Sequence, residues 1–204
     1  LLEASMMQKP RKPTPCTLPS TMTRVGAYAF DGSKFFQDTL KTENLVYLNN
    51  WVIGCSAEYK ANLTELDATQ LQEGTVGIGD MVFQGAPLLE TVELPESIKY
   101  IGRWVFAYSI KLEKASFPGV IVIDDYAFQN CTSLTGIILP EGVKTVGSYA
   151  FSGCTGLTSV VIPGSVTSIE YSAFSGCKKL SDIVFIDSPA GAVYGTSALG
   201  SARI

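Results

Sequence analysis

Apolar positions along this chain recur with a period that belongs to neither a helix nor a strand. Phe83, Phe106, Phe128, Phe151 and Phe174 lie 23, 22, 23 and 23 residues apart, each in the same slot of a repeated cell. Six residues after each Phe comes Leu89, Leu112, Leu134, Leu157 or Leu180. Three further on stands Val92, Ala115, Ile137, Val160 or Ile183, and two beyond that Leu94, Phe117, Leu139, Ile162 or Phe185. A fixed period of about 20–29 residues on such anchors marks a solenoid, in which each repeat is one coil stacked on the last. Alternation turns Ile137 and Leu139 inward and Ile138 outward, which predicts a short strand ending each cell. Stacked coils then pair these strands into a parallel sheet.

The rest of the cell follows from residue chemistry. Pro95, Pro118, Pro140 and Pro163 come next; proline lacks the donor that a ladder needs, so each strand should stop there. A second apolar pair follows (Ile98 and Ile101, Val120 and Ile123, Val143 and Val146, Val166 and Ile169), with Lys144-Thr145 and Thr167-Ser168 on the solvent side of a second extended segment. Ala-Phe then closes the coil in one helical or 3₁₀ turn. The frame extends to Val25–Phe30 near the N-terminus and to Tyr194–Leu199 near the C-terminus. Phe30 and Phe83 lie 53 residues apart, two periods plus a surplus. Here Trp51–Ile53 and Leu63–Leu66 read as strands of one enlarged coil carrying a loop or hairpin. The expected organisation is a leader or linker over 1–17 and one solenoid over 18–204. Within it fall an enlarged coil at 40–75, regular repeats at 75–186 and a degenerate C-terminal cap at 187–204. Seven or eight coils at about 4.8 Å each make a rod roughly 35–40 Å long.

The anchors spell the L-x-x-L-x-L rhythm of a leucine-rich repeat. The whole cell resembles the BspA-type, or Treponema pallidum-type, leucine-rich repeat, L-x-x-(I/V)-x-(I/L)-P-x-x-(V/I)-x-x-I-G-x-x-A-F-x-x-C. Leu134 to Leu180 matches it almost letter for letter. The resemblance covers about residues 18–186, or 199 with the cap, and includes N-W-V-I-G-C followed by G-T-V-G-I, an interruption common in such arrays. It implies a right-handed, mainly β solenoid of parallel strands and short turns. It also implies a secreted or cell-surface protein of a bacterium or mucosal protist, of a kind whose members attach cells to host matrix proteins or other microbes.

Composition narrows the chemistry. Charged residues make up 17%, and the net charge is −4; the repeats hold no cluster of Lys and Arg of the kind a phosphate-binding face needs, so nucleic acid is an unsuitable partner. The one basic knot, Lys9, Arg11 and Lys12, lies in the Pro-rich leader. No apolar run reaches the ~20 residues that span a bilayer, so no membrane insertion is expected of this chain. It opens on Leu and is expected to be a fragment or mature form.

Catalytic signals are weak. Histidine is absent, which removes the commonest general base and metal ligand. Cys131, Cys154 and Cys177 share the slot three after Phe, where other copies hold Ala86 and Ser109. That exchange suits a small buried side chain and not a metal ligand. The total of five cysteines is odd and the column points one way, which disfavours disulfides; a Cys16–Cys55 pair is left open. Gly195–Leu199 fails the G-x-S-x-G pattern at its last position, and Val82 stands where a dinucleotide loop from Gly77 needs its third glycine. Asp124-Asp125 is weighed as a calcium ligand and read as a solvated turn. The expectation is a non-enzymatic chain with no metal and no cofactor.

Two columns carry the binding hypotheses. Outward strand positions hold Glu93, Ser116, Ile138, Val161 and Val184, so three adjacent coils present a β-branched stripe of the kind that often marks a partner site. Strand propensity alone also selects such residues. Two before each Phe stand Tyr28, Met81, Trp104, Tyr126 and Tyr149, an aromatic ridge that could stack on sugars or simply brace neighbouring coils. The leading function is an extracellular, monomeric binding module, an adhesin-like fragment that recognises a host or microbial surface protein or glycan. The alternative is a spacer with no ligand of its own.

Overall fold

The computed structural model describes Pro19 and residues 21–187, together with a strand at Val193–Tyr194. The leader with Cys16, and most of the expected cap with its Gly195–Leu199 pattern, lie outside the described residues. The chain begins irregularly, then forms a short helix α1 (Lys34–Thr39), a hairpin of β1 (Leu45–Leu48) and β2 (Trp51–Cys55), a second short helix α2 (Ala57–Asn62) and β3 (Glu65–Leu66). The regular coils then contribute strands in alternation. One set is β4 (Gly77–Ile78), β6 (Tyr100–Ile101), β8 (Val122–Ile123), β10 (Thr145–Val146), β12 (Ser168–Ile169) and β14 (Val193–Tyr194). The other is β5 (Thr91–Glu93), β7 (Lys114–Ser116), β9 (Gly136–Ile138), β11 (Ser159–Pro163) and β13 (Asp182–Ile186).

The two sets line two faces of a β-solenoid. The first builds an eight-stranded sheet in the order β1-β2-β4-β6-β8-β10-β12-β14, parallel throughout except for the β1–β2 hairpin. Its strands are the second extended segment of each cell, with Ile101, Ile123, Val146 and Ile169 buried in one column. The second set was expected as one sheet, and the structure divides it into β3-β5-β7 and β9-β11-β13. The division falls at the copy that is one residue short. Where its neighbours read Pro95-Glu96-Ser97-Ile98 and Pro140-Glu141-Gly142-Val143, this copy reads Pro118-Gly119-Val120. In this turn Gly119 lies so close to the Glu96 carbonyl that a β-carbon would overlap it, as Gly164 lies to Asp187 O in a full-length copy. Thr135 alone spans the gap beside the broken ladder, its amide and its hydroxyl both donating to Glu113 O, at 3.3 and 3.4 Å.

The prolines act as expected after β5, β7 and β9, but β11 runs through Pro163, which pairs in register with Ile186. Proline is tolerated there because it is the strand's last residue, where a missing donor breaks no further rung.

Between the sheets the closing segments stack. The rings of Phe83, Phe106, Phe128, Phe151 and Phe174 follow one another at centroid separations of 5.1–5.8 Å, with interplanar angles of 4–24°. All five are buried, and the separations run somewhat above the ~4.8 Å spacing of adjacent strands, as offset rings stacked one per coil would give. The closing segment contains 3₁₀-type bonds such as Ala107 N to Trp104 O and Ser109 N to Phe106 O, but no continuous helical turn. Left-handed residues interrupt it two positions before each Phe (Met81, Trp104, Tyr126, Tyr149 and Ser172, φ +52 to +63°) and two after (Gly85, Tyr108, Asn130, Gly153 and Gly176). Such conformations are costly for bulky residues. What holds them is a third ladder: Trp104, Phe106 and Tyr108 donate their amides to the carbonyls of Asp125, Ala127 and Gln129, and Tyr126, Phe128 and Asn130 donate to Ser148, Ala150 and Ser152.

The N-terminal region departs from the frame. The motif Val25–Phe30 includes a left-handed Tyr28 like its relatives, yet it packs beside the Phe83 turn. Asp80 N donates to Val25 O at 3.0 Å while Gly79 N donates to Val52 O at 2.8 Å. The turn neighbouring that coil thus comes from one stretch of chain and the strand neighbouring it from another. Gly119→Ala should lower the urea midpoint by an amount equivalent to about 1–3 kcal/mol, the range for forcing extra atoms into a close-packed site. Gly32→Ala, where a β-carbon meets nothing within 4 Å, should stay within about 0.5 kcal/mol of the parent.

Candidate functional site

The divided sheet positions the first column. Alternation in β9 buries Ile137 and leaves Ile138 72% exposed. Register carries the same direction through Ile138↔Val161 and Val161↔Val184. Val161 is half-buried, Val184 is 50% exposed, and Ile186 beyond it is 43% exposed. Glu93 and Ser116, paired with each other in β5 and β7, are exposed on the other half of the face. Between the halves, Lys114, Ser116, Gly136, Ile138, Ser159 and Val161 border an open depression of about 400 Å³. Gly136 contributes no side chain, so the floor dips where the ladder is broken.

The aromatic column is assembled differently. Trp104 stacks on Tyr126 at 4.8 Å and 10°, Tyr126 on Tyr149 at 5.1 Å and 5°, and Tyr149 meets Tyr171 edge-on at 5.4 Å and 72°. Trp104, Tyr126 and Tyr149 are half-buried. Their left-handed backbones aim the rings outward from the turn, and the coil spacing brings them to stacking distance. Tyr28 stands apart, 75% exposed, with no ring contact among the described residues. Tyr171, which ends the ladder, is one position out of frame, so periodicity alone did not mark it.

Beside the rings runs a charged ladder. The slot three before Phe holds Asp80, Arg103 and Asp125 in successive coils. Arg103 Nη2 lies 2.6 Å from Asp125 Oδ2, and the Arg103 amide donates to Asp80 Oδ1 at 3.0 Å. Arg24 reaches in from the N-terminal segment, 2.6 Å from Asp80 Oδ2 and 3.6 Å from Asp124. The Asp80 hydrogen bond, with help from its charge and those of Asp124 and Asp125, holds the Arg24 guanidinium still more firmly protonated than usual. Asp125 also accepts from Ser148 N at 2.9 Å. These carboxylates are therefore committed to arginines and amides, and no group of three metal-capable side chains is assembled among the described residues. The alternating signs were readable in the repeat frame; Arg24, 56 residues away from Asp80, was not.

The cysteine column is a structural ladder. Cys131, Cys154 and Cys177 are buried free thiols, and each Sγ donates to the Phe carbonyl of the preceding coil at 3.1–3.2 Å. Burial pushes all three pKa values up, that of Cys177 to about 12. Thiols held protonated in this way are poor nucleophiles. Cys55, half-buried, is also free.

The family described as "BspA type Leucine rich repeat region" matches residues 52–181 in six copies. This chain belongs to the BspA-type leucine-rich repeat family. Among solved structures, it is similar to a leucine-rich cell surface protein from Faecalibacterium prausnitzii, at 28% identity and TM-score 0.60 over 66% of this chain and 35% of that one. The leucine-rich repeat protein of T. pallidum is similar at 23% identity and TM-score 0.59, over 72% of this chain and 78% of that one. The pneumococcal vaccine antigen PcpA is similar at 23% identity and TM-score 0.58, over 70% and 35%. The latter two share the fold, and this chain covers about a third of the length of the first and third. Curated proteins offer no match. No helix among the described residues is long and apolar enough to cross a membrane.

One member of the thiol column breaks its pattern. Ser109 is fully buried and its Oγ has no hydrogen-bond partner; a hydroxyl on a shorter Cβ–O bond does not make the contact that the thiols make. Leaving a buried donor unmade costs about 1–3 kcal/mol. Ser109→Ala and Ser109→Cys should both raise the melting temperature, whereas Cys154→Ser should lower it; calorimetry on the three variants tests the column.

Proposed function

We propose that this chain is an extracellular, cell-surface binding module that takes a protein partner on its sheet face, in the manner of an adhesin. The observation that carries the reading is Ile138, 72% exposed, at the head of an apolar row with Val161 and Val184. The same slot holds Ser116 and Glu93 in neighbouring coils, so the strand does not require an apolar residue there. Exposed apolar rows of this kind are common at partner sites. The half-open depression beside Gly136 offers the concavity that flat solenoid faces usually lack. Surface display is supported by the Faecalibacterium relative, named as a cell surface protein, and by family membership.

A glycan on the aromatic column is the weaker assignment. Trp104, Tyr126 and Tyr149 present their faces to one another at 4.8–5.1 Å, and sugar stacking needs a free ring face. In this reading those rings brace the coils. The spacer reading leaves the exposure of Ile138 and Val184 without a purpose.

The test is a screen of the chain against immobilised matrix proteins and a glycan array, with an Ile138→Glu/Val184→Glu variant alongside. Both positions point into solvent, so melting should change little. A protein hit that weakens at least tenfold in the variant is the expected result. A hit of unchanged strength places the site elsewhere, and silence on both panels from a folded chain favours the spacer.

A further inference from the structure

The sheet face is divided chemically as well as geometrically, and that division specifies a partner. On the β3-β5-β7 half, Glu65, Glu90, Glu93 and Glu113 are exposed against one exposed cation within the strands, Lys114, and a second, Lys111, in the turn before β7. None of these six belongs to an ion pair among the described residues, whose pairs lie instead around Arg24, Lys34, Lys41 and Arg103. Glu90 and Glu113 occupy the same slot of adjacent coils, linked by the bond from Glu113 N to Glu90 O. Like charges at one strand spacing repel and destabilise the array. On the β9-β11-β13 half, Ile138, Val161, Val184 and Ile186 form the outward row, with Asp182 as the one exposed carboxylate of these strands.

Resting on the reading of the sheet face as the binding face, we infer that the partner is a polypeptide segment with Lys or Arg at one end and aliphatic or aromatic side chains at the other, laid along the solenoid axis. A segment of this kind answers both halves at once. Its cations neutralise the Glu90–Glu113 repulsion that the free chain carries, and its apolar end removes Ile138 and Val184 from water. Four strand spacings separate Glu93 from Val184, about 19 Å, so a helix of about 14 residues or an extended segment of about six covers the face. The acidic half sets encounter rate and orientation, and the apolar half sets residence time. An acidic or purely polar segment meets either repulsion or an unburied stripe.

Three synthetic peptides of about 14 residues test this: one with Lys in its first half and Leu in its second, one with Glu replacing Lys, and one with Ser replacing Leu. Each is titrated by fluorescence anisotropy against the full chain at low salt and at about 0.15 M. The Lys–Leu peptide should bind at least tenfold more tightly than either control and should weaken with salt. Glu90→Gln/Glu93→Gln/Glu113→Gln should weaken it and flatten the salt dependence. Ile138→Ser/Val184→Ser should weaken it and leave the salt dependence intact. Equal binding of the Glu–Leu peptide, or an unaltered triple variant, overturns the partner class; if Ile138→Ser/Val184→Ser then still weakens binding, the sheet face survives as the site. Absence of binding by all three peptides also overturns the partner class, and the matrix-protein screen then decides the sheet face by itself.

Discussion

Each coil of this protein gives its turn amides to the carbonyls of the next, and that exchange imposes the constraint from which the other features follow. Trp104, Phe106 and Tyr108 donate across to Asp125, Ala127 and Gln129, and the pattern repeats one coil on. Because the donors are alternate residues at fixed slots, an added or missing residue inside the turn would shift every rung. The array tolerates a change of length only where no rung is at stake. The one short copy loses its residue in the proline turn at Gly119, and even there the neighbouring sheet divides.

The same constraint assigns work to most of the polar and aromatic residues that might otherwise suggest chemistry. Left-handed backbones at Trp104, Tyr126 and Tyr149 are the cost of aiming alternate amides in one direction, and ring stacking at one coil spacing recovers part of it. The thiols of Cys131, Cys154 and Cys177 are spent on the carbonyls of the Phe column. Asp125 is divided between Arg103 and Ser148 N. The turn side of the rod is committed to holding the rod together. The outward side of the strands carries no such commitment: Ile138 and Val184 stand in solvent, and Glu90 and Glu113 occupy the same slot of adjacent coils without an ion pair among the described residues.

The buried slots were legible in the sequence because every copy fills them alike: Phe128 and Phe151, Leu134 and Leu157, Ile123 and Val146 say the same thing twice. Outward positions were legible for the same reason, since alternation about Ile137 fixes where Ile138 points. What periodicity could not convey was anything that occurs once. The division of the sheet hangs on one missing residue, and Val25–Phe30, which reads as a coil in frame, lies beside the Phe83 turn with Val52 supplying the adjacent strand. Arg24 carries no repeat partner to announce it. The left-handed turns were hidden for another reason: three copies fill the slot with Trp or Tyr, residues that ordinarily argue against positive φ. The unequal charge of the two half-sheets, on which the proposed partner class rests, is not a periodic property either.

Amide hydrogen exchange tests the central claim most directly, because it reads the turn ladder one donor at a time. If the closing turns are a third ladder, the amides of Trp104, Phe106, Tyr108, Tyr126, Phe128 and Asn130 should exchange as slowly as those of the paired strands β6 to β11. They should also be lost together with them on adding denaturant. Rapid exchange at these six sites, with the strands still protected, would make the turns ordinary loops and return the aromatic ridge to the surface available for binding.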